Sequence, residues 1–427
     1  MVICHALTGS SDVADWWGPL IGPGKAFDPT RYFIICLNSL GSPYGSASPV
    51  TINPDTHQIF GPEFPLTTVR DDVNLHKLVL DDLGVSKIAA VIGGSMGGML
   101  TLEWTLSYPD LVGCFVALAT SARHSAWCIS WGETQRQCIY SDPKYEDGYY
   151  SSDDPPISGL GAARMAALLT YRSRNSFESR FGRETQSTST AGLKRLNNAI
   201  TSTKVPISTP STPVDLGKSP SSASISRQNS SVGEENWALH NEGHRTRKPV
   251  LSESSSPSSI PSTAPPTVSS SSNKTFTAQS YLRYQSNKFT SRFDANCYIA
   301  ITRKLDTHDI SRNRGENIEA TLATIVQPAL IMGITSDGLF TFAEQEIIAS
   351  NIPNAQLYKI DSPEGHDAFL LEFDEVNTLI VDFLKKKLPE IYSGEPIGDA
   401  VSGDGWEYGG SRSSVFGEAE ADGITTW

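Results

Sequence analysis

The chain has 427 residues, 38% of them hydrophobic, and a formal net charge of −13. That length holds core enough for one large domain or two, but the apolar fraction is low for a compact enzyme, so part of the chain is expected not to fold. The acidic balance argues against nucleic acid and anionic membrane surfaces as partners, and no apolar run is long enough to span a membrane. Cys4, Cys36, Cys114, Cys128, Cys138 and Cys297 show no C-x-x-C spacing. They argue against a disulfide framework and against a metal site, and they fit a reducing, cytoplasmic setting. Met1 leads directly into Val2-Ile3-Cys4 with no basic leader ahead of an apolar run, so no secretory signal is expected.

Met1 to Cys4 has the character of a buried strand, followed by the turn His5-Ala6-Leu7-Thr8-Gly9. A chain that opens inside a strand is expected to lack strands upstream, as a truncated gene product would. Arg31 to Leu37 predicts the next strand, and the Gly-, Pro- and Ser-rich run from Gly41 to Pro65 a long loop. Apolar residues at Val69, Val73, Leu75, Leu78, Val79 and Leu83 predict a helix over 67–83 that ends at Gly84. Ile88 to Ile92 and Val112 to Ala119 are short, β-branched and apolar, as buried parallel strands are. Strands alternating with helices at this spacing imply an α/β fold, a mostly parallel doubly wound sheet with helices on both faces.

Beyond Ser121 the alternation stops. Trp127 to Tyr140, Gly159 to Arg174 and Phe276 to Leu305 predict helices without strands between them, the pattern of a helical lid inserted into the sheet. Between them, 184–273 is dominated by Ser, Thr and Pro and buries too little to offset its ordering entropy, so it is expected to be a disordered insertion. Strands return at Ala329 to Ile334 and Ala355 to Ile360, with helices at Phe342 to Ser350 and Asn377 to Lys387. The expected division is core 1–120, lid 121–183, insertion 184–273, lid 274–326, core 327–390 and a loose acidic tail 391–427.

The stretch with chemistry is Gly93-Gly94-Ser95-Met96-Gly97-Gly98, set between a predicted strand and a predicted helix. In this context G-x-S-x-G describes a strained turn that exposes a nucleophilic serine, Ser95, at the start of a helix whose free N–H groups face developing negative charge. A serine hydroxyl needs a base, and the base an orienting acid. On such sheets they follow in the order Ser, Asp or Glu, His. Five histidines lie downstream of Ser95. His124 and His308 fall in or near the helical region and His240 and His244 in the Ser/Thr/Pro-rich insertion. Only His366 follows a late strand, with Asp337 in the matching place one strand earlier. The expected oxyanion hole combines the N–H groups of Met96 and of Leu7 in the HALTG turn.

HALTG, WWGPLIGPGKAFD, GSPYGSASPVTINP, GPEFPLTTVRDDV, GGSMGGM, ATSARHSAW, ARMAALLTYRSRNSFESRFGR and SPEGHDAFLLE together resemble the homoserine O-acetyltransferases. These are α/β-hydrolase-fold enzymes of methionine biosynthesis. The resemblance covers about 2–183 and 275–387 and is strongest to fungal members. It implies ping-pong transfer of an acetyl group from acetyl-CoA, a co-substrate rather than a bound cofactor, through Ser95 to the hydroxyl of L-homoserine. In the family's A-R-x-x-x-x-x-x-Y-R-S motif an arginine and a tyrosine hold the homoserine carboxylate, which implies Arg164 and Tyr171 here, with Asp367 near the substrate amine. It also implies a homodimer. L-serine or deacetylcephalosporin C as acceptor, a plain esterase, a non-catalytic binding module on the same scaffold and an inactive truncated product are the competing readings.

Overall fold

Six parallel strands form one sheet in the order β2-β1-β3-β4-β5-β6, from β1 (Val2–Cys4) and β2 (Ile35–Cys36) through β3 (Ile88–Gly94), β4 (Val112–Leu118) and β5 (Ala329–Ile334) to β6 (Ala355–Ile360). The structure is a computed structural model and describes residues 1–185, 275–315 and 317–396. The expected insertion 184–273, apart from its first two residues, lies outside the described residues, as does the tail beyond 396. His240 and His244 lie outside them too.

In chain order the helices are α1 (Val13–Trp17), α2 (Val69–Asp82), α3 (Met96–Ser107), α4 (Ala126–Tyr140), α5 (Ile157–Tyr171) and α6 (Arg174–Arg180). They continue with α7 (Thr277–Thr290), α8 (Ala295–Asp306), α9 (Ile318–Leu322), α10 (Phe342–Asn351), α11 (Phe373–Lys387) and α12 (Pro389–Ser393). Local chemistry sets several of their starts. Thr68 and Asp71 close a capping box on α2, and the side chains of Ser125, Ser173, Asp294 and Asn317 accept the first free N–H groups of α4, α6, α8 and α9. Acidic Asp374 and Glu375 in the first turn of α11 and Lys385, Lys386 and Lys387 in its last complement the helix dipole.

The period of two along each strand divides the core. Val2, Val91, Phe115, Ala117 and Ile331 face the layer that holds α2, α3 and the helices between β4 and β5. Ile3, Ile92, Val116, Leu330 and Met332 face the layer of α1 and α11. Both faces are apolar because both are covered, which is why the strands read as continuous apolar runs. The strand expected over 31–37 is realised only at Ile35–Cys36, which pairs with β1 alone; Phe33 before it is 65% exposed. The single helix expected over 276–305 breaks into α7 and α8 at Ser291–Asp294, where Asp294 caps the second.

Chain order in the sheet reverses between β1 and β3, the switch point at which a doubly wound sheet opens a crevice at its strand ends. The HALTG turn leaves β1 there and Gly93–Gly98 leaves β3 beside it. Deep to this crevice the α8 residue Lys304 is fully buried, with Nζ 2.6 Å from Asp72 Oδ2 on α2 and 2.7 Å from the Leu40 carbonyl. Burial lowers the Lys304 pKa and the Asp72 charge resists the shift. Lys304→Met leaves the Asp72 charge buried without its cation and is expected to cost about 3–5 kcal/mol in urea unfolding, part of it recovered by adding Asp72→Leu, which leaves the Leu40 N–H and carbonyl without their partners. A loss within experimental error for the single variant would contradict this.

Candidate active site

The turn after β3 is built by close approach. Ser95 has φ 58° and ψ −125°, in the left-handed half of backbone space where a side chain is strained. Two hydrogen bonds hold it there: its N–H donates to Leu118 O at 2.9 Å and its carbonyl accepts Thr120 Oγ1 at 2.7 Å. A Cβ at Gly93 would lie 2.3 Å from the Gly97 carbonyl oxygen, and one at Gly97 would lie 2.1 Å from that of Cys4. The glycines of the motif are therefore a steric demand of this turn. Ser95 is the residue immediately ahead of α3, so its side chain sits at the positive end of that helix dipole.

The acid and base come from the other end of the chain. Asp337 follows β5, and its Oδ1 accepts the N–H groups of Leu339 at 2.8 Å and Phe340 at 3.0 Å. Its Oδ2 lies 2.7 Å from His366 Nδ1 on the loop after β6. With the imidazole held through Nδ1, Nε2 is left as the proton acceptor. His366 is 3% exposed and packs against Phe340, Phe369 and Tyr171 at ring-centroid distances of 5.4, 5.3 and 6.1 Å.

Ser95, His366, Met96, Leu7, Tyr171 and Asp367 line one cavity, closed on the lid side by His124, Cys128, Trp131 and Gln135 of the α4 region. Asp337 stands behind His366. Arg164 is 1% exposed on α5 and lies one layer back, its guanidinium carbon 5.6 Å from the Tyr171 ring centroid and 4.9 Å from that of Phe289. Asp367 faces the cavity but forms an ion pair with Arg172, whose Nε is 2.9 Å from Asp367 Oδ2. Arg172 also holds Glu364, and Ser176 Oγ donates to the same Glu364 oxygen at 2.6 Å. Burial works against the Arg172 charge, but Asp367, then Tyr281 and Glu364, outweigh it and keep its pKa above the usual value. The end of the lid helix is thereby tied to the histidine loop.

Sequence reasoning did not reach Arg172 or Glu344, and it set His124 aside as a helical-region histidine. Arg172 lies directly after Tyr171 in the A-R-x-x-x-x-x-x-Y-R-S run, which was a usable signal. His124 lies in the ATSARHSAW run, but only the fold brings it to the cavity. Among the described residues no group of three or more His, Cys, Asp or Glu side chains could hold a metal ion, and no helix is long and apolar enough to cross a membrane.

Several of these groups titrate away from their ordinary values. Burial pushes His124 down to about 3 and His5 down to about 4, and it lowers His76 and His308 as well. Burial, then the charge of Asp337, pushes Glu344 up to about 7. Below pH 6.5 the unfolded chain takes up protons that the folded histidines refuse, so stability falls toward acid. From pH 7 to pH 5 His5 and His124 should each cost on the order of 1–2 kcal/mol of unfolding free energy. Glu344 opposes this, since the folded form binds its proton first, so Glu344→Gln should steepen the fall. Urea midpoints that rise from pH 7 to pH 5 would contradict the burial of neutral histidines.

A family model described as alpha/beta hydrolase fold matches residues 1–204. The chain is 55% identical to a homoserine O-acetyltransferase of Emericella nidulans, an alignment that covers 100% of this chain and 87% of that one. It is 52% identical to that of Saccharomyces cerevisiae, covering 100% and 86%. Among solved structures, a homoserine O-acetyltransferase from Bacillus anthracis matches with TM-score 0.66 at 18% identity over 90% of this chain and 87% of the other. An acetylester hydrolase from Corynebacterium glutamicum matches with TM-score 0.60 at 20% identity over 92% and 85%. At those identities the two structures speak to the fold alone, which is that of the α/β-hydrolases. With a strained elbow serine, an Asp–His pair on the same cavity and fungal relatives more than half identical along its whole length, the chain belongs to the homoserine O-acetyltransferase family.

Proposed function

We propose that the chain transfers an acetyl group from acetyl-CoA to the hydroxyl of L-homoserine, a step toward methionine, through an acetyl-enzyme on Ser95. The observation that carries this reading is a single cavity shared by Ser95 and a His366 whose Nδ1 is fixed on Asp337 at 2.7 Å. His366 Nε2 takes the Ser95 proton as Oγ attacks the thioester carbonyl. The tetrahedral oxyanion is held by the N–H groups of Met96 and Leu7. CoA leaves as the thiol with the proton from His366, and the homoserine hydroxyl then attacks the acetyl-enzyme with His366 again as base. Met96 at the first position of α3 supports its part, because its N–H belongs to the helix end that has no partner within the helix.

Homoserine differs from water in its carboxylate and ammonium, so a transferase must hold both to favour it over hydrolysis. Arg164 and Tyr171 serve the carboxylate in this reading, supported by the guanidinium stacked on a ring that faces the cavity. Asp367 serves the ammonium, with Arg172 fixing its orientation. In this reading the side of the cavity formed by His124, Cys128, Trp131 and Gln135 limits the access of water to the acetyl-enzyme.

Ser95→Ala should lower kcat by at least about 10⁴-fold with an unchanged circular dichroism spectrum, and no acetyl adduct should appear on the protein by mass spectrometry. Turnover within tenfold of wild type would remove Ser95 as nucleophile. Arg164→Lys keeps the charge but loses the planar fork. It should raise the KM for homoserine roughly tenfold or more while leaving acetyl-enzyme formation from acetyl-CoA unaltered. An unchanged KM would take Arg164 out of the acceptor site.

A further inference from the structure

We infer that His5 is a positioning residue that aims the Leu7 N–H at the oxyanion, by donating from one locked tautomer to the carbonyl of the Ala6–Leu7 peptide. The inference rests on the reading of Ser95 and Leu7 given above. His5 is fully buried beneath the turn that follows β1. The Ser39 backbone N–H lies 3.0 Å from its Nε2. A backbone N–H can only donate, so Nε2 accepts and the ring proton sits on Nδ1. Nδ1 is 2.8 Å from Ala6 O and so donates to it.

Ala6 O receives a second hydrogen bond, from Gly9 N–H at 3.0 Å. No described peptide bond is cis. In a planar trans peptide the carbonyl of one residue and the N–H of the next point opposite ways. Two donors on Ala6 O therefore fix the direction of Leu7 N–H at the opposite edge, and Ala6 and Leu7 both line the cavity with Ser95. Donors fixed before the charge develops are what an oxyanion site requires.

The far side of the ring is anchored as firmly. Leu40 N–H donates to Asp72 Oδ1 at 2.8 Å, and Lys304 Nζ donates to Leu40 O at 2.7 Å, so the buried ion pair fixes the segment that carries the Ser39 N–H. Burial also keeps the imidazole neutral down to about pH 4, so the acceptor at Nε2 persists at neutral pH. Placing α8 of the lid, α2 of the core and the turn after β1 in one network gives His5 a role that filling space would not need.

The test compares His5→Leu with His5→Asn, which share the same branched four-atom side-chain skeleton and place no acceptor where Nε2 meets Ser39. Only Asn keeps an N–H donor in the place of Nδ1. The readout is acetyl-enzyme formation on Ser95, followed by mass spectrometry after mixing the purified full chain with acetyl-CoA. His5→Leu should acylate at least about tenfold more slowly, short of the 10²- to 10³-fold seen for deletion of an oxyanion donor, with KM for acetyl-CoA within about threefold. His5→Asn should recover most of the rate. Equal acylation rates for the two variants would overturn the inference while leaving the Ser95 reading intact. A wild-type protein that forms no acetyl-enzyme would remove both. Independently of how the variants fold, ¹⁵N NMR of the wild-type imidazole should show the proton on Nδ1, and a proton on Nε2 would refute the assignment.

Discussion

The site depends on how closely two strand ends approach one another. A side chain at Gly97 would stand 2.1 Å from the Cys4 carbonyl oxygen and 3.2 Å from that of His5, so the first turn of α3 and the turn after β1 touch backbone to backbone. That contact brings the Leu7 peptide beside Ser95. The same crowding forces Ser95 into its positive-φ turn, with strain held by Leu118 O and Thr120 Oγ1. Ser95 and the Leu7 peptide are thus set by one packing constraint, and the parallel pairing of β1 with β3 is what enforces it.

The helices between β4 and β5 meet the rest of the fold at the site through buried charges, which tie them more specifically than apolar contact does. Lys304 ties α8 to α2 and to the 38–40 loop, and Arg172 ties the end of α5 to the histidine loop through Asp367 and Glu364. Buried ion pairs seldom add net stability over well-packed apolar residues, but breaking one is costly, so they favour a single arrangement. The proposed acetyl-enzyme would need such a single arrangement of these helices to exclude water. Gly365, at φ 75°, lets the histidine loop lie against the backbone of Tyr171, Arg172 and Ser173, so the same junction also sets where His366 points.

What was legible in the sequence was whatever has a local signature. The apolar runs at 88–92, 112–119 and 329–334 are buried on both faces and became β3, β4 and β5 with ends moved by no more than two residues. The motif around Ser95 is legible because its residues are contiguous, although only Gly93 answers a near neighbour, Gly97, while Gly97 itself answers the distant Cys4 carbonyl. Asp337 and His366 could be picked out only by chain order, since 29 residues separate two side chains that end 2.7 Å apart. The rest depended on distant partners. Nothing near Lys304 announces Asp72, which lies 232 positions earlier, and a lone His5 does not disclose its tautomer until Ser39 is placed against it. β2 fell short of its apolar run because that edge has one pairing neighbour among the described strands.

The central claim is that Ser95 carries an acetyl group and that homoserine, not water, removes it. The most direct measurement is release of free CoA thiol from acetyl-CoA by the purified chain, with L-homoserine, L-serine or no acceptor added. Acetyl transfer to homoserine predicts steady release that depends on homoserine and is slow with serine or buffer alone. Release at the same rate in buffer would make the protein a hydrolase, and contradict the account.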